Sequence, residues 1–258
     1  MIKSKNKTSS EVTRKDQKKK TKQPIVLEPS LPSPISQELL SDQSRVQLKS
    51  YHDAAEPYKY IVLSPLCNNE RMRLVHEEAK NNMTATFKET DLFKVYQTGD
   101  LATIDSSDPV KQKQYRHLLS LRDSIYSKDF RDFISQVMGC DDLTDRVDCS
   151  ANAYTQGCHL LCHDDVIGTR RISYIIYLTD PDDPWEESEG GALELYPLDR
   201  LASSRAVVST GQQQGIPTPA PTKLILPRFN TMALFKVQPG RSYHSVQEVV
   251  VEELKYFF

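Results

Sequence analysis

A chain of 258 residues, 38% hydrophobic and 26% charged, can bury one substantial core, as one large β-rich domain or two small ones. It contains no run near the roughly 18–20 apolar residues of a membrane-spanning helix, and its N-terminus lacks the apolar stretch of a secretory signal. The net charge of −2 is uneven: residues 1–24 carry nine Lys/Arg against Glu11 and Asp16, leaving −9 for the rest. That acidity excludes nucleic-acid binding by charge in the globule and suits a basic protein partner. Five cysteines without a signal point to free thiols.

In chain order, residues 1–24 are basic and apolar-poor, which predicts disorder. Lys18-Lys19-Lys20-Thr21-Lys22 reads either as a nuclear-import patch or as a solvated tail. Pro24, Pro29, Pro32 and Pro34 follow as a linker, so residues 1–35 are expected as an arm and 36–258 as the folded domain. Helical spacing starts at Ser36, Tyr58–Leu63 predicts a strand, Pro65–Met83 a helix, and Thr84–Tyr96 strand. Residues 109–138 predict two helices broken near Ser127. Beyond Gly139 the pattern changes to short strands cut by turns: Cys149–Tyr154, Leu160–Asp165, Arg171–Leu178, Ala192–Tyr196, Thr231–Val237, Ser242–Val246 and Val249–Glu253. Such punctuation predicts an antiparallel sandwich or barrel. Ala202–Thr222, rich in Gln and Pro, is expected as a mobile insertion.

The chemistry gathers in Leu161-Cys162-His163-Asp164-Asp165. On a strand, residues i and i+2 share a face, so His163 and Asp165 would chelate together while Asp164 points away. His244, in the later Ser242–Val246 segment, supplies a third donor. Two imidazoles and one carboxylate leave open positions on an octahedral ion, the arrangement of non-haem Fe(II) oxygenases. Zinc readings compete: Cys158 with Cys162 as half a site, or a zinc hydrolase on the same trio.

The run Asp148–Leu178, with His163-Asp164-Asp165-Val166-Ile167-Gly168-Thr169-Arg170-Arg171 at its centre, resembles the prolyl 3-/4-hydroxylases of fungal termination-and-polyadenylation type. The likeness continues through Asp180-Pro181, Trp185, Gly190–Pro197, Pro227–Val237 and Pro239–Val249. It implies an α+β, mainly β fold, a double-stranded β-helix (jelly-roll) with N-terminal helical support. It implies a dioxygenase using Fe(II), 2-oxoglutarate and O2, with ascorbate supporting. The expected reaction is hydroxylation of a proline in a small-subunit ribosomal protein, affecting translation termination and accuracy. Nuclear and cytoplasmic localisation is expected, and a homodimer is left open. Carried over by residue, the metal ligands are His163, Asp165 and His244, and Tyr154 helps to hold 2-oxoglutarate.

Where the family carries a carboxylate-clamping arginine, this chain has Lys255, which keeps the charge and loses the fork. Lys255–Phe258 does not read as a family strand. The domain is therefore expected to be truncated at its last strand, with the family's second, C-terminal domain absent. A binding or regulatory module lacking the 2-oxoglutarate anchor is the alternative.

Overall fold

The computed structural model describes residues 29–205, 215–252 and 255–257. The expectations for the basic arm lie outside these residues, apart from the end of the linker. So does the centre of the Ala202–Thr222 insertion, whose C-terminal flank is tied back to the segment before it through Asp199 N–Ile216 O and Thr218 N–Pro197 O.

The helical support comprises α1 (Asp42–Ala54), α2 (Asn69–Asn82), α3 (Pro109–Gln114), α4 (Arg116–Ile125) and α5 (Lys128–Met138). The expected break falls at Ser127, whose hydroxyl accepts from Phe130 N and so caps α5. That helix stops at Gly139, which takes the left-handed conformation at φ 56°. Its apolar stripe, Phe130, Phe133, Ile134 and Val137, packs with Leu118 and Leu121 of α4 and Met72 and Val75 of α2.

Strands β1 (Tyr60–Leu63), β2 (Thr86–Glu89), β3 (Phe93–Asp100), β4 (Ser150–Tyr154), β5 (His159–His163) and β6 (Ile172–Tyr177) are followed by β7 (Leu193–Leu195), β8 (Lys223–Ile225), β9 (Thr231–Lys236), β10 (His244–Val246) and β11 (Lys255–Phe257). A six-residue helix, α6 (Arg200–Arg205), lies between β7 and β8. Every pairing is antiparallel, in the order β1-β9-β6-β11-β4-β3-β5-β10-β7-β8, with β2 on β3. The set β9-β6-β11-β4 faces β8-β7-β10-β5, which is the interleaved pattern of a double-stranded β-helix.

Strands β6 and β9 are buried on both sides, and this decides where the site lies. Met232 and Leu234 of β9 join the helices, whereas Ala233 and Phe235 turn into the β-helix. On β6, Ile172, Tyr174 and Ile176 pack toward the helices while Ile175 and Tyr177 face the interior. Ser173 belongs to the interior set by the same alternation.

Two expectations about the end of the chain are corrected. Of the segment Val249–Glu253, the described residues 249–252 form no strand, because their backbone bonds go to turns: Val249 N donates to Cys158 O, and Val250 N to Glu189 O. Lys255–Phe257 does form one, β11, inserted between β4 and β6. Three residues carry no alternation to recognise. The open ladder edges of β4 and β6 provide its place.

Asn230 joins the turn before β9 to the loop that leads from β1 into α2. It is 1% exposed at φ 58°; its Oδ1 accepts from Cys67 N, and Nδ2 donates to Cys67 O and Asn69 Oδ1. Asn230→Ala strands a buried donor and acceptor, and alanine tolerates this backbone less well. Denaturant unfolding should register a loss of about 2–4 kcal/mol.

Candidate metal centre

His163 closes β5 and His244 opens β10, and the two are register partners across the ladder. Their rings lie 4.2 Å apart, centroid to centroid. Each Nδ1 sits against a carbonyl two residues back, Leu161 O at 2.8 Å and Ser242 O at 2.9 Å. A carbonyl only accepts, so Nδ1 carries a proton and each ring turns Nε2 inward. Asp165 meets both: Oδ1 is 3.2 Å from His163 Nε2, and Oδ2 is 3.5 Å from His244 Nε2. One donor atom from each residue lies within 4.8 Å of the others, close enough to hold a metal ion.

His163 and Asp165 do come together, but not as same-face neighbours on one strand. β5 ends at His163, and Asp165 lies beyond it in the left-handed region at φ 58°. Its carboxylate is aimed by side chains: Ser173 Oγ donates to Oδ2 and Arg170 Nη1 lies 3.3 Å from Oδ1. Asp164 is not idle either. It accepts from Gly240 N at 2.8 Å, and its carbonyl from Ser242 Oγ, so it pins the turn that delivers His244.

Burial by itself would raise the Asp165 carboxyl, but hydrogen bonds from His163 and His244 outweigh it and hold the group well below the ordinary carboxylate range. Burial likewise opposes charge on His163, and its hydrogen bond to Asp165 reverses the balance and raises that imidazole. A divalent cation held between the two inward Nε2 atoms would meet the Asp165 carboxylate directly. The donor set of two imidazole nitrogens and one carboxylate therefore fits such an ion.

Comparison with known proteins agrees with this geometry. The sequence profile of the 2OG-Fe(II) oxygenase superfamily matches residues 149–256, the stretch that holds all three donors. The chain carries a 2OG-Fe(II) oxygenase domain. A prolyl 3,4-dihydroxylase OGFOD1 from Ostreococcus tauri is 47% identical over 196 residues, 76% of this chain and 36% of that relative. A prolyl 3-hydroxylase OGFOD1 from Xenopus laevis is 31% identical over 194 residues, 75% of this chain and 32% of its own. The chain thus spans about a third of the length of these curated relatives. A Trichoplax adhaerens prolyl hydroxylase, solved with a hypoxia inducible factor oxygen degradation domain peptide fragment, shares the fold with a TM-score of 0.56. It is 14% identical and matches 83% of this chain and 88% of that one.

Within the oxygenase domain, a cavity of about 850 Å³ opens at the trio. Tyr154, Tyr177, Leu160 and Phe235 line it beside the donors. Tyr154 is buried on β4, and desolvation raises its hydroxyl above the ordinary range, so it stays protonated and able to donate. The β4–β11 register sets Lys255 opposite Tyr154, which brings the two expected cosubstrate residues to neighbouring strands. Arg241 is exposed and does not line the cavity, whereas Arg170 does. His159 bonds through Nδ1 to Gly157 O and takes no part in the trio.

Sequence reasoning missed Ser173 and overlooked what Arg170 touches. Ser173 was detectable as a small polar residue on the interior face of an otherwise apolar strand. Arg170 had no such signal, since its contacts come from loop geometry. All five cysteines are free; four are buried and Cys162 is exposed. Among the described residues no helix is long and apolar enough to cross a membrane.

Proposed function

We propose that this chain is the catalytic portion of an Fe(II)- and 2-oxoglutarate-dependent peptidyl-proline hydroxylase, with His163, Asp165 and His244 as the metal ligands. The observation that carries this reading is the convergence of their donor atoms at a cavity also lined by Tyr154. The names of the relatives support the prolyl substrate class. When bound, Fe(II) with 2-oxoglutarate and O2 supplies the oxidising chemistry that the side chains cannot.

The chain's own residues bind, orient and exclude. His163 and His244 present Nε2 with Nδ1 already engaged, so their tautomers are set before the metal arrives. Asp165 supplies the anionic ligand. Tyr154 would donate a hydrogen bond to a carboxylate of the cosubstrate, and Lys255, on the neighbouring strand, would be its counter-charge. Leu160, Phe235 and Val246 line the apolar part of the cavity and keep water away from the donors.

The finer substrate assignment, a proline of a small-subunit ribosomal protein with an effect on translation termination and accuracy, follows the family resemblance and suits the acid surplus outside the first 24 residues. Ascorbate support and nuclear and cytoplasmic localisation rest on the same resemblance. In the test, the protein is incubated with Fe(II), 2-oxoglutarate, ascorbate and a proline-bearing peptide from that ribosomal protein. Succinate and singly oxygenated peptide should form in equal amounts. Metal binding without turnover would sink the enzyme reading in favour of a binding module.

Lys255→Ala tests the anchor. Losing a charge-assisted hydrogen bond of about 1.5–3 kcal/mol should raise the KM for 2-oxoglutarate by roughly ten- to a hundredfold. Lys255→Arg should restore it through the bidentate fork. An unchanged KM would mean that another cation holds the carboxylate.

A further inference from the structure

Three neighbouring strands carry a short hydrogen-bond relay on one face. Lys88 of β2 donates from Nζ to Gln97 Oε1 at 2.7 Å, and Gln97 of β3 donates from Nε2 to Asn152 Oδ1 of β4 at 3.0 Å. The ladders set Gln97 directly opposite Asn152, and Lys88 diagonally from Gln97 across the β2–β3 pair. Lysine only donates, so it fixes which end of the Gln97 carboxamide faces it. Gln97 then presents its amide N–H to Asn152, and Asn152 receives it with its carbonyl. The Asn152 Nδ2 donor is turned away from Gln97, and no described residue accepts from it. Gln97 and Asn152 both line the cavity at the trio. Along that lining Asp148 is exposed, Asn152 half-buried and Tyr154 buried. Asn152 therefore stands between the rim and the proposed cosubstrate residues, roughly 6–7 Å along β4 from Tyr154. A peptide reaching the trio from this rim passes the donor. Proline has no N–H, so its main chain offers only an acceptor there.

We propose that Asn152 holds the peptide substrate by donating from Nδ2 to a main-chain carbonyl of its proline-bearing segment, and that Lys88, acting through Gln97, is the positioning residue that keeps this donor facing the cavity. This role rests on the peptidyl-proline reading and adds to it the group that meets the peptide. It makes a surface residue control the polarity of a cavity group two strands away. Lys88→Glu reverses the relay: the carboxylate accepts from Gln97 Nε2, Gln97 Oε1 turns to Asn152 Nδ2, and Asn152 Oδ1 is left against the peptide carbonyl. Two acceptors face to face cost at least as much as the hydrogen bond they replace.

The experiment measures, by fluorescence anisotropy, binding of a labelled proline-bearing peptide of the small-subunit ribosomal protein to the full chain. Mn(II) and 2-oxoglutarate are present and O2 is excluded, so the peptide is held without turnover. Asn152→Leu keeps the volume and removes the donor, and should weaken the peptide about fivefold, the worth of one net hydrogen bond. Lys88→Glu should weaken it at least as much. Lys88→Arg also only donates, and should retain the affinity. In the Asn152→Leu background Lys88→Glu should have no further effect, since no carboxamide remains there to turn. Binding of 2-oxoglutarate, followed by calorimetry, should be the same in every variant, because Tyr154 and Lys255 are retained. Unaltered peptide affinity in Asn152→Leu overturns the inference. A Lys88→Glu loss that persists in the Asn152→Leu background also overturns it, because charge near the peptide and not the relay would then be responsible. Parallel loss of 2-oxoglutarate binding overturns it as well, as general damage to the cavity. Absence of peptide binding to the unmodified protein would instead overturn the substrate reading itself, and this inference with it.

Discussion

Asp165→Ala is expected to lower divalent-metal affinity by at least about a hundredfold, since even the loss of a group that merely supports a ligand costs ten- to a hundredfold. The substitution removes the carboxylate that faces both inward nitrogens, leaving two imidazoles 4.2 Å apart. Ser173 Oγ and Arg170 Nη1 lose the carboxylate they hold in position. Nothing then offsets repulsion between Arg170 and an incoming cation. Asp164→Ala is the discriminating companion. Asp164 touches neither histidine ring and acts on the centre through the Gln238–Ser242 turn, where Gly240 N and Ser242 Oγ bond to it. Because it bonds to no ligand side chain, its removal should cost only a few-fold, by loosening the approach to His244. Mn(II) or Co(II) titration of both variants measures the difference. Equal losses would mean that the carboxylates share the role and that the geometry assigned to Asp165 is wrong.

The pair also shows where sequence reasoning succeeds and where it stops. The donors were legible because imidazole and carboxylate are few and their motif is distinctive. Their arrangement was not, because period-two logic assumes a strand that continues through Asp165, and the backbone leaves β5 at His163. Strands β6 and β9 were legible as long apolar runs, since both faces are buried and six residues suffice for a pattern. Strands β8 and β11 have three residues each and show no periodicity. Their positions follow from which ladder edges remain to be paired. The α5 boundary was legible because a capping serine and a terminal glycine are local signals. Contacts such as Arg170–Asp148 or Asp164–Gly240 join residues 22 and 76 positions apart through loops, and no local signal marks them.

Gly190→Ala is the substitution expected to damage the fold most for its size. Gly190 adopts φ 75° and ψ −149°, a region that residues with a side chain avoid at a cost of about 1–3 kcal/mol. A Cβ there would stand 2.0 Å from the Glu248 carbonyl oxygen, which is backbone and cannot rotate aside. Relief requires the Glu186–Ala192 turn and the segment after β10 to separate. That separation threatens the Val250 N–Glu189 O and Gln247 N–Ala192 O bonds and the Trp185 Nε1–Gly190 O bond. Together these effects should cost about 3–5 kcal/mol, lowering the Tm by roughly 10 °C in a chain of this length. Gly168→Ala separates the two causes. Gly168 also has positive φ, 57°, yet a Cβ there meets nothing within 4 Å, so only the dihedral cost of about 1–2 kcal/mol applies. Comparing the two variants by thermal or denaturant unfolding isolates the contact with Glu248. If both lose the same stability, that contact exerts no hold on the turn, and the joint between the β7 and β10 ends of the sheet is looser than the geometry requires.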